Sequence, residues 1–436
     1  MHVAVVGGGW AGLAAAVEAT ARGHEVTLFE MAPQLGGRAR RVDSHGLALD
    51  NGQHILIGAY TETLRLMQLV GAEPERNLLR IPLVVEYPDG RGLTLPRGEP
   101  RAAFARAVLG RAGWRWRDRF ALLLAAAGWA RRGFACAADL SVAQLTAQLP
   151  AAVRAELIDP LCVAALNTPA SHASASVFLR VLHDALFSGP GSADLLLPRL
   201  DLGALWPDAA ARWLGKAGAR LHMPRRVERL ERSASGWLLD GEPFDAVVLA
   251  ASAVEAIRLA GPIAPGWAES ASAIRYEPIV TVTLRSAGTR LTQAMLALHA
   301  TPSAPAQFVF DLGQLRGLHG VLGFVISGAR AWVERGQEAV AQATLAQARL
   351  ELGAQLRGPL EVMRVLTEKR ATFVCAPGLQ RPPQRIADGL FAAGDYVAGP
   401  YPATLEGAVR SGIGACARIS GAKISDEKTA PPAARR

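Results

Sequence analysis

The sequence has 436 residues and a formal net charge of +9, with 50% hydrophobic and 19% charged residues. This length exceeds that of one hydrophobic core, so we expect two domains, and the apolar content excludes an intrinsically disordered chain. The four cysteines form no CxxC pair and no zinc-type spacing with histidine, so neither a disulfide framework nor a metal site is expected. The positive charge is almost entirely arginine without a nucleic-acid-binding motif, so no nucleic-acid partner is expected.

A membrane-spanning helix is not expected either. The longest apolar stretch, residues 120–130, has about half of the ~20 residues that cross a bilayer. The first residues enter a strand directly, without the regions of a signal peptide. The sequence therefore predicts a cytoplasmic protein, to which an arginine-rich segment described below adds peripheral contact with the inner face of the membrane.

The first 30 residues predict a strand, a tight turn, a helix and a second strand. Residues 3–6 form a continuous apolar run, typical of a strand buried on both faces of a parallel sheet. Residues 11–22 form an alanine-rich helix that Gly23 ends, and residues 25–30 form the next strand.

The turn between the first strand and the helix has the spacing G-x-G-x-x-G, formed by Gly7, Gly9 and Gly12. The first glycine permits the turn, the second lets the backbone approach a pyrophosphate, and the third lets the helix pack on the strand. Ala11 lies in the first helical turn, where free N–H groups favour an anion. Glu30 ends the second strand, where it can bind ribose hydroxyls. This order of elements predicts a dinucleotide site.

Further pieces of the same sheet are expected much later in the chain. They are strands at residues 219–221, 227–230 and 245–251, a hairpin turn near 233–236, a strand at 389–393 and a helix from 403 to about 419. Between them, residues 60–215 are mostly helical. Residues 272–375 carry alternating runs that predict antiparallel strands at 279–284, 308–310 and 321–327, before a helix at 337–352.

These pieces predict a discontinuous dinucleotide-binding domain of residues 1–60, 216–270 and 385–420. The two insertions, residues 61–215 and 271–384, are expected to form a substrate domain together. Residues 421–436 are polar and proline-containing, so we expect a disordered tail.

The loop after Glu30 decides which dinucleotide is expected. It contains a second glycine pair, Gly36 and Gly37, followed by Arg38. Backbone N–H groups of such a loop, together with Arg38, can hold the pyrophosphate and the ribityl chain of a flavin. This run resembles the long FAD-binding signature of the amine oxidase and phytoene desaturase superfamily, so FAD is the expected cofactor.

The C-terminal segment carries the same resemblance through Gly394, Asp395 and residues 402–408. The resemblance implies that Asp395 contacts ribityl or phosphate oxygens. It also implies that the helix start at Thr404 and Leu405 points N–H groups at the flavin ring, and that the Val227 backbone pairs with adenine. The implied fold is α/β, with a Rossmann-like FAD-binding domain and a discontinuous α+β substrate domain.

A closer resemblance is to the hydroxysqualene dehydroxylases. It is carried by residues 49–60, 160–168, 192–198, 369–373 and 394–412, which spread over nearly the whole chain. It implies a polyisoprenoid substrate and reductive removal of the hydroxyl of hydroxysqualene to give squalene. Loss of that hydroxyl leaves an allylic cation, to which reduced flavin can deliver hydride from N5. The electron donor stays open.

The candidates for catalysis are His54, Tyr60 and Asn167. His54 lies in the segment expected near the flavin, where an imidazole can protonate a leaving hydroxyl. Its alternative role is to hold the loop through a backbone hydrogen bond. Tyr60, Asn167 and Asp194 either face the cavity or satisfy buried backbone groups, and Asp50 and Asn51 either act in catalysis or cap a turn.

Residues 101–132 predict a membrane-facing helix. Tryptophans flanked by arginines adjoin a short apolar run there, as in helices that lie in a membrane interface. The alternative is a buried amphipathic helix of the substrate domain with a solvated basic rim.

Other functions compete with the dehydroxylase interpretation. A flavin amine oxidase is one, because Tyr396 and Tyr401 offer an aromatic pair and Lys369 is expected just before a strand. A carotenoid-type polyene desaturase is another. The third is a non-enzymatic prenyl-lipid-binding relative, against which the intact glycine turn, Glu30, Arg38 and Asp395 all argue.

Overall fold

Short parallel strands open the chain, and longer antiparallel strands fill much of its second half. The computed structural model describes residues 1–44, 46–419 and 421. Its strands, in chain order, are β1 (His2–Val6), β2 (Glu25–Phe29), β3 (Arg41–Ser44), β4 (Leu47–Asp50), β5 (Leu56–Ile57), β6 (Leu78–Ile81), β7 (Val84–Glu86), β8 (Gly92–Thr94), β9 (Leu195–Pro198), β10 (Arg220–His222), β11 (Leu230–Ser233), β12 (Gly236–Leu239), β13 (Glu242–Phe244), β14 (Ala246–Leu249), β15 (Tyr276–Arg285), β16 (Met295–Ala297), β17 (Phe308–Asp311), β18 (Val321–Ile326), β19 (Glu361–Phe373), β20 (Arg385–Ala387) and β21 (Leu390–Ala392).

Helices connect these strands and form most of the first insertion. They are α1 (Trp10–Ala21), α2 (Thr61–Leu69), α3 (Pro74–Asn77), α4 (Pro100–Gly110), α5 (Trp116–Arg131), α6 (Val142–Leu145), α7 (Ala151–Val153), α8 (Asp159–Leu166), α9 (Ala175–Phe187), α10 (Leu202–Leu205), α11 (Pro207–Lys216), α12 (Ala253–Ala260), α13 (Pro265–Ser272), α14 (Leu312–Arg316), α15 (Arg330–Arg335), α16 (Gln337–Leu352) and α17 (Leu405–Ile419). A π-helical turn, Arg154–Ile158, leads into α8.

A mainly parallel sheet carries the dinucleotide motif. Its strand order is β10-β2-β1-β14-β21-β20, and β20 alone in this order runs antiparallel to its neighbour. β1 and β14 are apolar and almost wholly buried because helices cover both faces of such a sheet. This arrangement confirms the expected α/β, Rossmann-like fold. The strands all lie in the three segments assigned to the dinucleotide-binding domain, whose boundaries stay a prediction.

A second, antiparallel sheet has the strand order β16-β17-β18-β15-β19. Alternate residues of its strands face opposite sides. Val282, Phe324 and Ile326 belong to the core that includes residues of α16, whereas Ile279, Phe310 and other alternate residues line a cavity on the opposite face. α8 and α9 form the facing wall of that cavity with Leu161, Val181 and other apolar side chains.

Three sequence predictions differ from the structure in local detail. The strand expected at 227–230 begins only at Leu230 and joins a separate antiparallel sheet, β11-β12-β13. Asp240 Oδ1 accepts the N–H groups of Glu228 (2.9 Å) and Arg229 (2.8 Å), so those groups bond to a side chain and not to a strand. Lys369 does not precede a strand but lies within β19.

The arginine-rich segment 101–132 is not one helix but two, α4 and α5. Gly113 takes a φ of +83°, which an α-helix cannot continue. Arg119 folds back and donates to the carbonyls of Leu109 (2.6 Å) and Arg111 (2.8 Å) at the end of α4. The expected disordered tail, residues 421–436, lies outside the described residues except for Gly421.

A buried ion pair ties the two parts of the chain together. Arg316 Nη1 lies 2.7 Å from Asp50 Oδ2, and the side chains are 7% and 3% exposed. The other Asp50 oxygen accepts the Leu202 N–H at 2.8 Å. Asp50, at the end of β4, therefore anchors α10 and α14, which is a structural role for this carboxylate.

The Asp50–Arg316 pair predicts a pH-dependent stability. Burial raises the pKa of Asp50 to about 6, although Arg316 and the Leu202 N–H oppose this shift. A folded-state pKa above the unfolded value of about 3.9 gives stability that is present at acidic pH and is lost as pH rises through about 6. Arg316→Met leaves the carboxylate unpaired, so we expect a loss of about 3–5 kcal/mol at pH 8 and a smaller loss at pH 5.

Thermal unfolding of the variant at both pH values measures this difference. The double variant Asp50→Asn/Arg316→Met is the control, because it carries no buried charge and should lose about the same stability at both. An Arg316→Met loss that is equal at pH 5 and pH 8 would contradict the prediction.

Candidate active site

One cavity of about 910 Å³ joins the C-terminal edge of the parallel sheet to the inner face of the antiparallel sheet. All but one of the predicted site residues line it: Gly7, Gly9, Ala11, Glu30, Gly37, Arg38, His54, Tyr60, Asn167, Val227, Gly394, Asp395, Thr404 and Leu405. Gly12 lies behind this wall. The cavity therefore brings together residues from five distant parts of the sequence.

The turn after β1 places the N-terminus of α1 at the cavity. Gly7 takes a φ of +110°, and a Cβ on Gly12 would lie 1.8 Å from the Gly7 carbonyl oxygen, so both positions need glycine. No side chain caps α1 at Gly9, so the first N–H groups of the helix are left for a ligand. An anionic pyrophosphate is the group that such a terminus stabilises.

Glu30 lies beside this turn, at the end of β2. Its carboxylate accepts the N–H groups of Gly8 (2.6 Å) and Ala32 (2.7 Å), and the residue lines the cavity. These bonds fix the carboxylate next to the pyrophosphate position, where it can accept hydrogen bonds from ribose hydroxyls.

Arg38 and Asp395 form an ion pair across the same end of the cavity. Arg38 also donates to the carbonyl of Ala371 at 2.8 Å, which connects the loop after β2 to β19. Next to the pair, Tyr396 is 2% exposed, and its hydroxyl has no hydrogen-bond partner among the described residues. A buried hydroxyl without a partner at a cavity wall indicates a polar ligand there. These residues fit the pyrophosphate and ribityl portions of FAD.

Two further cofactor predictions can be located but not tested by the protein alone. Thr404 Oγ1 accepts the Gly407 N–H at 3.1 Å and so caps α17, which begins at Leu405 beside the cavity. Val227 is buried on the cavity wall, and its carbonyl accepts from Arg258. Pairing of the Val227 backbone with adenine stays a prediction.

The rest of the cavity is a mostly apolar channel. Its side chains include Leu157, Leu161, Val181, Leu182, Leu186, Ile279, Met295, Phe308, Phe310 and Val325. Such walls exclude water and suit a hydrocarbon chain. No group of three or more metal-ligating side chains occurs among the residues that the structure describes.

His54 has the backbone hydrogen bond that the sequence offered as one alternative. Its Nδ1 lies 3.1 Å from the Gly52 carbonyl oxygen, so the neutral ring carries its proton on Nδ1 and leaves Nε2 as an acceptor. Burial lowers the pKa of His54, which favours this neutral form. The imidazole is therefore suited to accept a hydrogen bond in the cavity, and its acid role stays a prediction.

Tyr60 and Asn167 differ in how much of each side chain is available. Burial raises the pKa of Tyr60, whose hydroxyl hydrogen-bonds to Thr404. The Asn167 amide is fully engaged, because Nδ2 donates to Thr372 Oγ1 (2.9 Å) and Oδ1 accepts the Gly328 N–H (2.6 Å). Asn167 thus ties α8 to the antiparallel sheet, and a direct part in catalysis stays a prediction.

The sequence did not single out the charged group around Tyr401. Tyr401 lines the cavity, and Arg180 Nη2 donates to its hydroxyl at 3.1 Å. Arg180 Nε in turn donates to Asp184 Oδ2 at 2.8 Å. The i,i+4 spacing of Arg180 and Asp184 was the available signal, but it is common on solvated helices. Lys369, by contrast, is exposed and does not line the cavity.

Comparisons with known proteins agree with this geometry. The family model described as flavin containing amine oxidoreductase matches residues 10–420. The chain is 26% identical to hydroxysqualene dehydroxylase of Sinorhizobium fredii, over 94% of this chain and 96% of that protein. It is 24% identical to the hydroxysqualene dehydroxylase of Zymomonas mobilis, again over 94% and 96%.

A solved structure is similar over the same length. An oxidoreductase from Methanosarcina mazei superposes with a TM-score of 0.73 at 16% identity, covering 95% of this chain and 99% of the other. At that identity the similarity concerns the fold. Together with the glycine turn, Glu30, Arg38 and Asp395 on one cavity wall, the family match shows that the chain belongs to the flavin-containing amine oxidoreductases and is an FAD-dependent oxidoreductase.

Proposed function

We propose that this enzyme reductively removes the hydroxyl group of hydroxysqualene to give squalene. The observation that carries the proposal is the apolar channel that runs from the flavin site between the antiparallel sheet and α8–α9. The similarity to hydroxysqualene dehydroxylases over almost the whole chain, substrate-domain segments included, supports the same substrate class.

The protein's part in this reaction is to bind, orient and keep dry. FAD in its reduced form supplies the hydride that replaces the hydroxyl. Side chains such as Leu161, Phe310 and Val325 hold the polyene in one orientation and exclude water from the allylic cation. Near the flavin site, His54 Nε2 and the Tyr60 hydroxyl are the polar groups that we propose face the substrate oxygen.

An amine oxidase is less well supported by the geometry. Of the features that favoured it, Tyr396 and Tyr401 line the cavity, but Lys369 does not. Tyr401 is bonded to Arg180, and a second cation, Arg410, lies over its ring, an environment that disfavours a positively charged amine. We therefore keep oxidation of amines as an outcome to be tested and not as the proposal.

We also propose that α5 contacts an anionic lipid bilayer. Trp116, Phe120 and Leu124 are 63%, 53% and 68% exposed and follow one another at four-residue spacing, so they share one helix face. Arg115 and Arg117 are exposed beside them. Exposed aromatic side chains flanked by arginines suit the headgroup region of a membrane.

The exposed α5 face adjoins the cavity. Arg119 lies over the Trp116 ring, with its guanidinium carbon 4.7 Å from the centroid, and donates to the Arg111 carbonyl. Arg111, Trp114 and Glu156 line the cavity and bond to one another. A polyisoprenoid in the membrane is thus close to this end of the channel. Among the described residues, no helix is long and apolar enough to cross a bilayer.

An anaerobic single-turnover experiment tests the reaction. The FAD-loaded protein is photoreduced and mixed with hydroxysqualene, and we expect oxidised-flavin absorbance to return with one squalene formed per flavin. The products are identified by mass spectrometry. Flavin that stays reduced would reject the proposed reaction, and amines and carotenoid precursors would then be mixed with the oxidised enzyme.

Liposome co-sedimentation tests the membrane contact. Trp116→Glu/Phe120→Glu places two charges in the apolar face, so we expect at least a roughly tenfold loss of binding to liposomes that contain anionic phospholipid. Leu350→Glu is the matched control, because Leu350 is 83% exposed on α16, and its binding should be unchanged. Equal binding of the double variant and the wild type would rule out α5 as the contact.

A further inference from the structure

Tyr401 occupies an unusual electrostatic position on the cavity wall. Its ring lies near two guanidinium groups, whose central carbons are 5.0 Å (Arg180) and 5.4 Å (Arg410) from the ring centroid. Arg180 comes from α9 and Arg410 from α17, so the two cations approach from different elements. Both would stabilise negative charge that develops on the phenol.

The hydrogen bonds leave the phenolic proton available. Tyr401 Oη accepts from Arg180 Nη2 at 3.1 Å. No acceptor for the phenolic proton itself occurs among the residues that the structure describes. Because an arginine can only donate, the Tyr401 O–H is left to donate to a molecule in the cavity.

Neighbouring groups fix the position of this phenol. Arg180 Nε donates to Asp184 Oδ2 (2.8 Å), and His183 Nδ1 lies 2.8 Å from the other oxygen of Asp184. Arg381 Nη1 donates to the Tyr401 carbonyl at 3.0 Å and so holds the loop before α17. Burial raises the pKa of Tyr401, partly opposed by Arg410 and Arg180, and thus keeps the phenol protonated at neutral pH.

We propose that Tyr401 is the general acid of the dehydroxylation and that Arg180, held by Asp184, is its positioning residue. The inference rests on the proposed function. The Tyr401 proton passes to the substrate hydroxyl oxygen and forms a new O–H bond. The allylic C–O bond breaks with its electron pair on oxygen, and water leaves. The allylic cation accepts the hydride, and the phenolate, paired with Arg180, regains a proton from cavity water.

His54 is less suited to this role than Tyr401. Its ring proton is used in the bond to the Gly52 carbonyl, so only the acceptor nitrogen remains. A general acid needs a proton at the reacting atom, whereas an acceptor can orient the substrate hydroxyl. The two side chains line the same cavity and are assigned different tasks.

The test compares Tyr401→Phe with the wild type in the anaerobic single-turnover experiment, both as FAD-loaded protein. We expect squalene formation to slow by roughly 10²–10⁴-fold, with unchanged flavin content and unchanged substrate affinity. The acetate ester of the same alcohol provides the second readout, because acetate leaves without a proton. On the ester, the two proteins should react at similar rates.

The outcomes separate this inference from the proposed function. A wild type that forms no squalene rejects the function itself. A wild type that does so, with a Tyr401→Phe variant equally fast, rejects the general acid. Equal slowing of the variant on alcohol and ester would assign Tyr401 a structural role and also overturn the inference.

Arg180 variants provide an independent measurement that leaves Tyr401 in place. Arg180→Met removes the bond to the phenol, and we expect squalene formation at least about tenfold slower with unchanged substrate affinity. Arg180→Lys keeps a cation near Asp184 and should recover part of the rate. Wild-type rates in Arg180→Met would contradict the role assigned to Arg180.

Discussion

The parallel register of four strands is the constraint on which the site depends. Val6 pairs with both Phe29 and Leu249, and Leu249 pairs with Ala392, so the four strands end at one level. The residues that follow them, among them Gly7, Glu30 and Gly394, therefore meet at one edge of the sheet. Since carboxyl ends of parallel strands form a crevice, a dinucleotide site assembles there from segments almost 400 residues apart.

The second constraint is the two-residue period of the antiparallel sheet. It directs one set of side chains, such as Phe324, into a core with α16 and the alternate set, such as Phe310, into the channel. Asp50–Arg316 and the Asn167 amide then hold this sheet against the cofactor-binding segments and α8. A hydrocarbon channel next to a flavin site is thus a consequence of where two sheets meet.

Polar groups in that channel have distinct environments, which separates their chemistry. His54 is buried with its proton committed to a carbonyl, whereas Tyr401 receives a hydrogen bond from Arg180 and keeps its own proton. The Asp184 carboxylate neutralises and orients Arg180 without contacting the phenol through a hydrogen bond of its own. Similar residue types on one wall can therefore orient, donate or support.

Local sequence determined the cofactor half of this protein. The turn at Gly7 and Gly12, the acid at Glu30 and the loop at Arg38 are short-range features, since backbone sterics and strand alternation act over a few residues. Helix α16, with bounds as predicted, likewise follows from a run of good helix formers. The resemblance to flavoenzymes followed from these same motifs.

Tertiary structure alone decided the rest. The strand expected at 227–230 was displaced by Asp240, a residue more than ten positions away, and the single helix expected at 101–132 was divided by Gly113 and the contacts of Arg119. The group of Tyr401, Arg180 and Asp184 joins residues more than 200 positions apart. Such pairings carry no local periodicity, because long-range packing and not neighbouring residues brings the side chains together.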